Sequence, residues 1–301
     1  MDPWTDLDRP PLRVLPLRRA LTGDGGWAHG GWERLDVLTT TGSTNADLLA
    51  RAGAPGGRTP HGTVLVADHQ AAGRGRLGRG WEAPPRSALA VSVLLRPALP
   101  VDRWSWLPLL AGVAAVDALA GLGVRAGLKW PNDVLVTGPG RPGKVCGVLA
   151  EVRGDAVVLG AGINVSQRED ELPVPATDAP VTPTPATSLA LAGATSTDRD
   201  TVLRRYLRAL RTRLDDYLTP GSTDGAAALA DAYRGVSATL GQVVRAHLPD
   251  GSVLEGTAVD VDADGRLVVE TSGGVGAGGA AGTTRTSLSA ADVVHLRPVG
   301  P

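Results

Sequence analysis

The periodicity of the chain changes once, at Gly235, and that change restricts the fold more than any other feature. Upstream, helical patterns interleave with short apolar runs; downstream there are only short alternating runs between turn residues. Leu35–Thr41, Thr63–Asp68 and Leu89–Leu95 read as strands, and Leu128–Val136 as a strand broken by Pro131. Val145–Val152 and Ala156–Val165 are apolar runs joined by Arg153-Gly154-Asp155, a hairpin signature. Helices are expected over Ala46–Ala52, capped by Ser43 or Thr44, over Asp102–Leu122, over Arg199–Leu218 and over about Asp224–Arg234. Beyond Gly235, Val243–His247, Val253–Asp260, Leu267–Glu270 and Ala291–Leu296 read as strands. Residues 172–187 read as a Pro/Thr-rich loop and 273–282 as a low-complexity loop. The sum is an α+β domain followed by a small all-β barrel. Residues 1–34 show no sustained periodicity. They read as an extended or loosely packed leader, too short for a winged-helix DNA-binding domain plus linker.

Composition bounds the function classes. The 301 residues are 43% hydrophobic and 20% charged, an ordinary globular balance with room for two domains. The net charge is −1 and the pI about 6.5, so nothing draws the whole molecule to nucleic acid or to an anionic membrane. No apolar run reaches the roughly 20 residues a bilayer requires, and the first residues lack a secretory signal, which makes the cytoplasm the expected location. Cys146 is the one cysteine, so neither an internal disulfide nor a cysteine metal site is available. The five histidines have no metal-ligand spacing, and there is no Gly-x-Ser-x-Gly nucleophile elbow. Of 30 basic residues only Lys129 and Lys144 are lysines; the only asparagines are Asn45, Asn132 and Asn164. In a chain this biased toward Arg, Ala and Gly, the few Lys and Asn either survive by chance or mark places where Arg or Asp would fail. All five fall in the segments described next.

Gly73-Arg74-Gly75-Arg76-Leu77-Gly78-Arg79-Gly80-Trp81 packs four glycines and three arginines into nine residues. Glycine permits sharp turns and close approach to a ligand, and arginine supplies forked donors for phosphate or carboxylate. Composition alone leaves an anion-binding loop, ordered by its ligand, and a solvated basic or nucleic-acid-touching loop both open. Lys129-Trp130-Pro131-Asn132-Asp133 reads either as a site wall or as a turn at a strand end. Lys144 enters an apolar strand that ends at Glu151; it either aims its ammonium into a cleft or sits solvated at a strand edge. Gly160-Ala161-Gly162-Ile163-Asn164 leaves one strand face open, for a ligand or for close packing. Ser43-Thr44-Asn45 can cap a helix or face a polar ligand.

Together and in this order, from Leu35 to the C-terminus, these segments resemble the biotin protein ligase family. The Gly-Arg-Gly-Arg-x-Gly-Arg-x-Trp loop and Lys-Trp-Pro-Asn-Asp are the specific matches. The resemblance implies a biotin/lipoate ligase-like catalytic domain, a mixed sheet with helices, over 35–234 and an SH3-like barrel over 235–301. It implies an ATP-dependent enzyme that makes biotinyl-AMP and transfers biotin to a lysine of the biotin carboxyl carrier protein of acyl-CoA carboxylases. Lys144, Arg76 and Asp133 would be catalytic. Ser43, Thr44, Asn45 and Gln70 would hold biotin with Gly73, Arg74, Gly75 and Arg76, and Gly147, Gly160 and Gly162 would line the channel for its tail. Arg74, Arg76, Arg79, Trp81, Lys129, Asn132, Lys144 and Asn164 would contact ATP or the adenylate, with Trp81 beside the adenine. Mg²⁺ would accompany ATP without a dedicated protein metal site. No DNA or membrane partner is expected. A lipoate ligase or octanoyl transferase shares the implied fold, and a DNA-binding regulator is the rival of a different class.

Overall fold

A computed structural model describes residues 8–23, 25–54, 59–173, 184–219, 223–272, 283–289 and 292–295. Its centre is a seven-stranded sheet in the order β1-β2-β3-β7-β6-β5-β4. The strands are β1 (Arg34–Leu38), β2 (Thr63–Ala67), β3 (Ala88–Leu95), β4 (Ala126–Lys129), β5 (Asp133–Val136), β6 (Gly143–Arg153) and β7 (Ala156–Asn164). Among the strands of this sheet in the described residues, only β1 and β2 pair in parallel. The long β6–β7 hairpin is the spine, turning at Gly154 with φ +58°, where a side chain would be strained.

Alternation divides the sheet into two faces. Val64, Val66, Val91, Val93, Val157 and Leu159 meet a large core built by α1 (Val14–Leu21), α3 (Leu107–Ala120), α4 (Arg199–Leu218) and α5 (Thr223–Val236). α3 is buried on nearly every side, which matches a sequence apolar except at Asp117, whose carboxylate pairs with Arg213. α4 starts on an Asp198 cap, whose carboxylate accepts from the Thr201 N–H, and buries Leu203, Leu207, Leu210 and Leu214. On the other face Leu65, Leu94, Ala156 and Val158 pack under Leu48 of α2 (Thr44–Ala52), leaving the remainder of that face open. Ser43 caps α2 by accepting from the Ala46 N–H.

The second sheet is antiparallel, in the order β11-β10-β9-β8-β12. It comprises β8 (Val243–His247), β9 (Val253–Val261), β10 (Leu267–Ser272), β11 (Thr283–Leu288) and β12 (Asp292–His295), the small β domain expected at this end. Two tryptophans of the first domain anchor it: Trp106 Nε1 donates to Ala263 O at 2.7 Å and Trp130 Nε1 to Gly265 O at 3.1 Å.

Some readings need correction. The described part of the leader, residues 8–23 and 25–34, is not loosely packed. α1 buries Leu17 and Leu21, and Leu12 and Trp32 join the same core. Arg9 clasps Glu171 and Ser166 O; Arg199, paired with buried Asp68, also holds Pro10 O. The helix escaped detection because its eight residues carry only two inward positions and a proline, and its stability comes from tertiary contacts. The stretch over 128–136 is a two-strand hairpin, β4–β5, around a cis Trp130–Pro131 bond. The helix expected from Asp102 begins as a 3₁₀ turn, Val101–Trp106, with Pro108 in the first turn of α3. β11 was missed: its sequence, TTRTSL, lacks the apolar alternation that marks a strand. Residues 174–183 and 273–282, read as loops, lie outside the described residues.

Candidate active site

On the open face of the sheet, the segments singled out from the sequence meet. Every one of the named site residues except Gly73 lines a single cleft of about 470 Å³. Gly73 stands just behind the wall: a Cβ there would lie 2.3 Å from Trp81 O and 2.8 Å from Gln70 Nε2.

One end of the cleft presents neutral polar side chains, with the Glu151 carboxylate behind Asn45. The Thr44 N–H and hydroxyl both donate to Gln70 Oε1, at 2.8 and 3.1 Å. The buried Ser92 hydroxyl, on β3, lies 2.7 Å from Thr44 Oγ1 and 2.6 Å from Asn45 Oδ1. Asn45 Nδ2 donates to Glu151 Oε2 at 2.9 Å and to Leu149 O at 3.3 Å. Ser92 was missed by sequence reasoning, although a serine inside the run LAVSVLL was a visible signal. Glu151 was seen only as the end of a strand.

The floor is glycine. Gly147 of β6 pairs with Gly162 of β7, and Gly160 follows on the same face. A Cβ at Gly162 would fall 2.4 Å from the Trp81 ring, and one at Gly160 would fall 2.2 Å from Asn45 Oδ1. The glycines therefore make room for the Trp81 indole and the Asn45 amide, rather than only for a ligand tail. Trp81 thus lies across the floor, with its Nε1 buried and without a hydrogen-bond partner among the described residues.

The other end is cationic. Lys144 Nζ pairs with Asp133 Oδ1 at 2.6 Å and sits 5.7 Å from the Trp81 ring centroid. Lys129 Nζ donates to Thr184 Oγ1 at 2.9 Å. Asn132 Nδ2 donates to Val148 O. Asn164 is engaged by the protein on both sides, donating to Thr187 O and accepting from Gln167 Nε2, so it orders this wall. The arginine loop, expected to order around an anion, is already folded into a small hairpin. Gly75 N donates to Arg79 O and Trp81 N to Gly73 O, with Leu77 at its tip at φ +56°. Burial pushes the Cys146 thiol up to about 12, so it stays protonated and is no nucleophile beside Lys144.

The comparisons with known proteins come to the same place. Residues 40–167 match the model of the biotin/lipoate A/B protein ligase family, and residues 239–296 that of the biotin protein ligase C-terminal domain. The chain is 43% identical over 300 residues to a biotin–[acetyl-CoA-carboxylase] ligase of Mycobacterium tuberculosis, covering 97% of this chain and 100% of that one. The chain belongs to the biotin protein ligase family. Within this family it is also 33% identical over 246 residues to the bifunctional ligase/repressor BirA of Bacillus subtilis, covering 80% of this chain and 69% of that one. The fold matches the biotin protein ligase of Aquifex aeolicus solved with biotin and ATP. Their TM-score is 0.65 at 26% identity, over 88% of this chain and 100% of that one. Among the described residues no helix is long and apolar enough to cross a membrane.

Proposed function

We propose that this chain joins biotin to ATP as biotinyl-AMP and then passes the biotinyl group to one lysine of a biotin carboxyl carrier domain of an acyl-CoA carboxylase. The observation that carries the reading is the polarity of the cleft. Neutral hydrogen-bonding groups from Thr44, Asn45, Gln70 and Ser92 stand at one end, cations at the other, and glycine lies between. A ureido ring needs paired neutral donors and acceptors, and a carboxylate meeting a triphosphate needs positive charge.

In the first step a biotin carboxylate oxygen attacks the α-phosphorus of ATP, and pyrophosphate leaves with the electrons of the broken P–O bond. Two anions must meet, so Lys144 and the arginines of the loop act by neutralising charge where it accumulates. Asp133 holds the Lys144 ammonium in place. Mg²⁺ bound to the phosphates would supply further charge; Asp133, the carboxylate of this wall, fits an ion that keeps most of its waters. In the second step the acceptor amine attacks the acyl carbon, and AMP leaves. The Gly73–Trp81 segment shields the mixed anhydride from water between the two steps. These roles, like the cytoplasmic location, belong to the proposal.

Pyrophosphate exchange into ATP, with biotin, lipoate, octanoate or no acid, tests it. Exchange that requires biotin is expected. Exchange with lipoate alone would move the chain to the lipoate branch of the fold, and none with any acid would overturn the adenylation reading.

A further inference from the structure

The neutral end of the cleft and the arginine loop are tied together by one side chain to which the reading above gives no task. Glu151 stands on β6, on the cleft face, two residues beyond Leu149. Its carboxylate accepts from Asn45 Nδ2 at 2.9 Å and pairs with Arg74 Nη2 at 3.3 Å. From these contacts we infer that Glu151 is a positioning residue for biotin: it fixes which way Asn45 presents its amide and pins the Arg74 end of the loop over the ring. The assignment rests on the neutral end of the cleft taking the ureido ring.

The argument is one of donors and acceptors. An amide side chain has one end that donates and one that accepts. The Nδ2 end of Asn45 faces the Leu149 carbonyl and the Glu151 carboxylate, both acceptors. Reversing the amide would set its oxygen against two oxygens, so the carbonyl is held toward Ser92 and the space above Gly160. That orientation offers an acceptor to a ring N–H. At the same time Arg74 is drawn from the exposed loop to the carboxylate that orients Asn45, so ring recognition and loop position share one group.

The side chains of Arg74 and Glu151 are 46% and 25% exposed. Ion pairs this open contribute little to folding, so a substitution acts on the ligand more than on the fold. Glu151→Gln can donate to Asn45, which lets the amide reverse, and it lacks the charge that holds Arg74. Glu151→Asp keeps the charge on a shorter arm.

The test is pyrophosphate exchange by the full chain, with KM for biotin and for ATP measured separately, alongside retention of preformed biotinyl-AMP through gel filtration. In Glu151→Gln the KM for biotin should rise about tenfold, the scale of one charge-assisted hydrogen bond. The KM for ATP, kcat and melting temperature should stay near wild type, and the adenylate should be lost faster. Glu151→Asp should recover part of the biotin KM. An unchanged biotin KM and retention in Glu151→Gln would overturn the assignment. So would a parallel fall in melting temperature and in affinity for both substrates, which marks a merely structural role. Wild-type protein inert toward biotin would overturn the functional reading itself, and this assignment with it.

Discussion

Lys144 reaches the cleft because β6 carries one extra residue. Val134 pairs with Cys146 but Leu135 pairs with Lys144, so Val145 has no partner on β5. Strict alternation counted back from Gly147 would place Lys144 on the core face. The bulge instead buries Val145 and turns Lys144 toward Trp81 and Asp133. In the proposed reaction this ammonium lies between two reacting anions. Lys144→Ala is therefore expected to slow biotin-dependent pyrophosphate exchange by about a hundredfold, or ~2.7 kcal/mol of transition-state stabilisation. Lys144→Arg should not restore it, because a planar fork cannot occupy the place of a compact ammonium held by one carboxylate oxygen. Exchange within a few-fold of wild type in Lys144→Ala would remove Lys144 from the chemistry.

At the scale of elements, the loop and α1 make opposite predictions. The Gly73–Trp81 hairpin is held mostly by its own backbone, and its tip side chain, Leu77, is exposed. Arg76→Gly should leave the fold intact yet release biotinyl-AMP on the order of tenfold faster, as the loss of one charged hydrogen bond would. The check is biotin labelling of bystander proteins beside the carrier; label confined to the carrier would count against loop closure. α1 lies on the far side of the sheet from the cleft, with Leu17 1% exposed. Leu17→Ala should cost about 2–4 kcal/mol in urea unfolding, from lost burial plus the cavity left behind. The KM for biotin should not move, and a Leu17→Ala protein of wild-type stability would show that α1 is dispensable.

For the whole molecule, the seam between the domains carries a titratable group. Thr239 accepts from the Trp130 N–H at 3.0 Å and its hydroxyl lies 3.0 Å from His295 Nε2 on β12. Burial first, and then nearby Lys129, lower the His295 pKa to about 4. The imidazole is therefore neutral in the folded protein across the range in which the unfolded chain, near 6.5, takes up a proton. Stability from this site is present above pH 6.5 and is lost as the pH falls toward 4. His295→Gln should remove that part of the acid dependence, so the gap in melting temperature between variant and wild type should shift in favour of the variant from pH 7 to pH 4.5. Parallel melting curves across that range would mean His295 titrates normally.

Much of this protein could be read along the chain. The two-domain division, the β6–β7 hairpin and the span of α4 follow from hydrophobic period and turn residues, which are local properties. So does the identity of most cleft residues, because Lys and Asn are scarce here and glycines cluster where a floor must be open. What the chain order could not show were relations made by packing. α1 is a helix only because Leu17, Leu21 and their neighbours find α4 and β1. Ser92 joins the cleft, and Glu151 reaches Asn45 beside it, because β3, β7 and β6 are adjacent, although 47 and 106 residues separate them from Asn45. Trp130, in a segment that reads as a site wall or a strand-end turn, lines the cleft, and its indole also anchors the second domain. Local sequence sets which conformations are cheap; which side chains meet is decided by strand order and register, and here by one unpaired residue in β6.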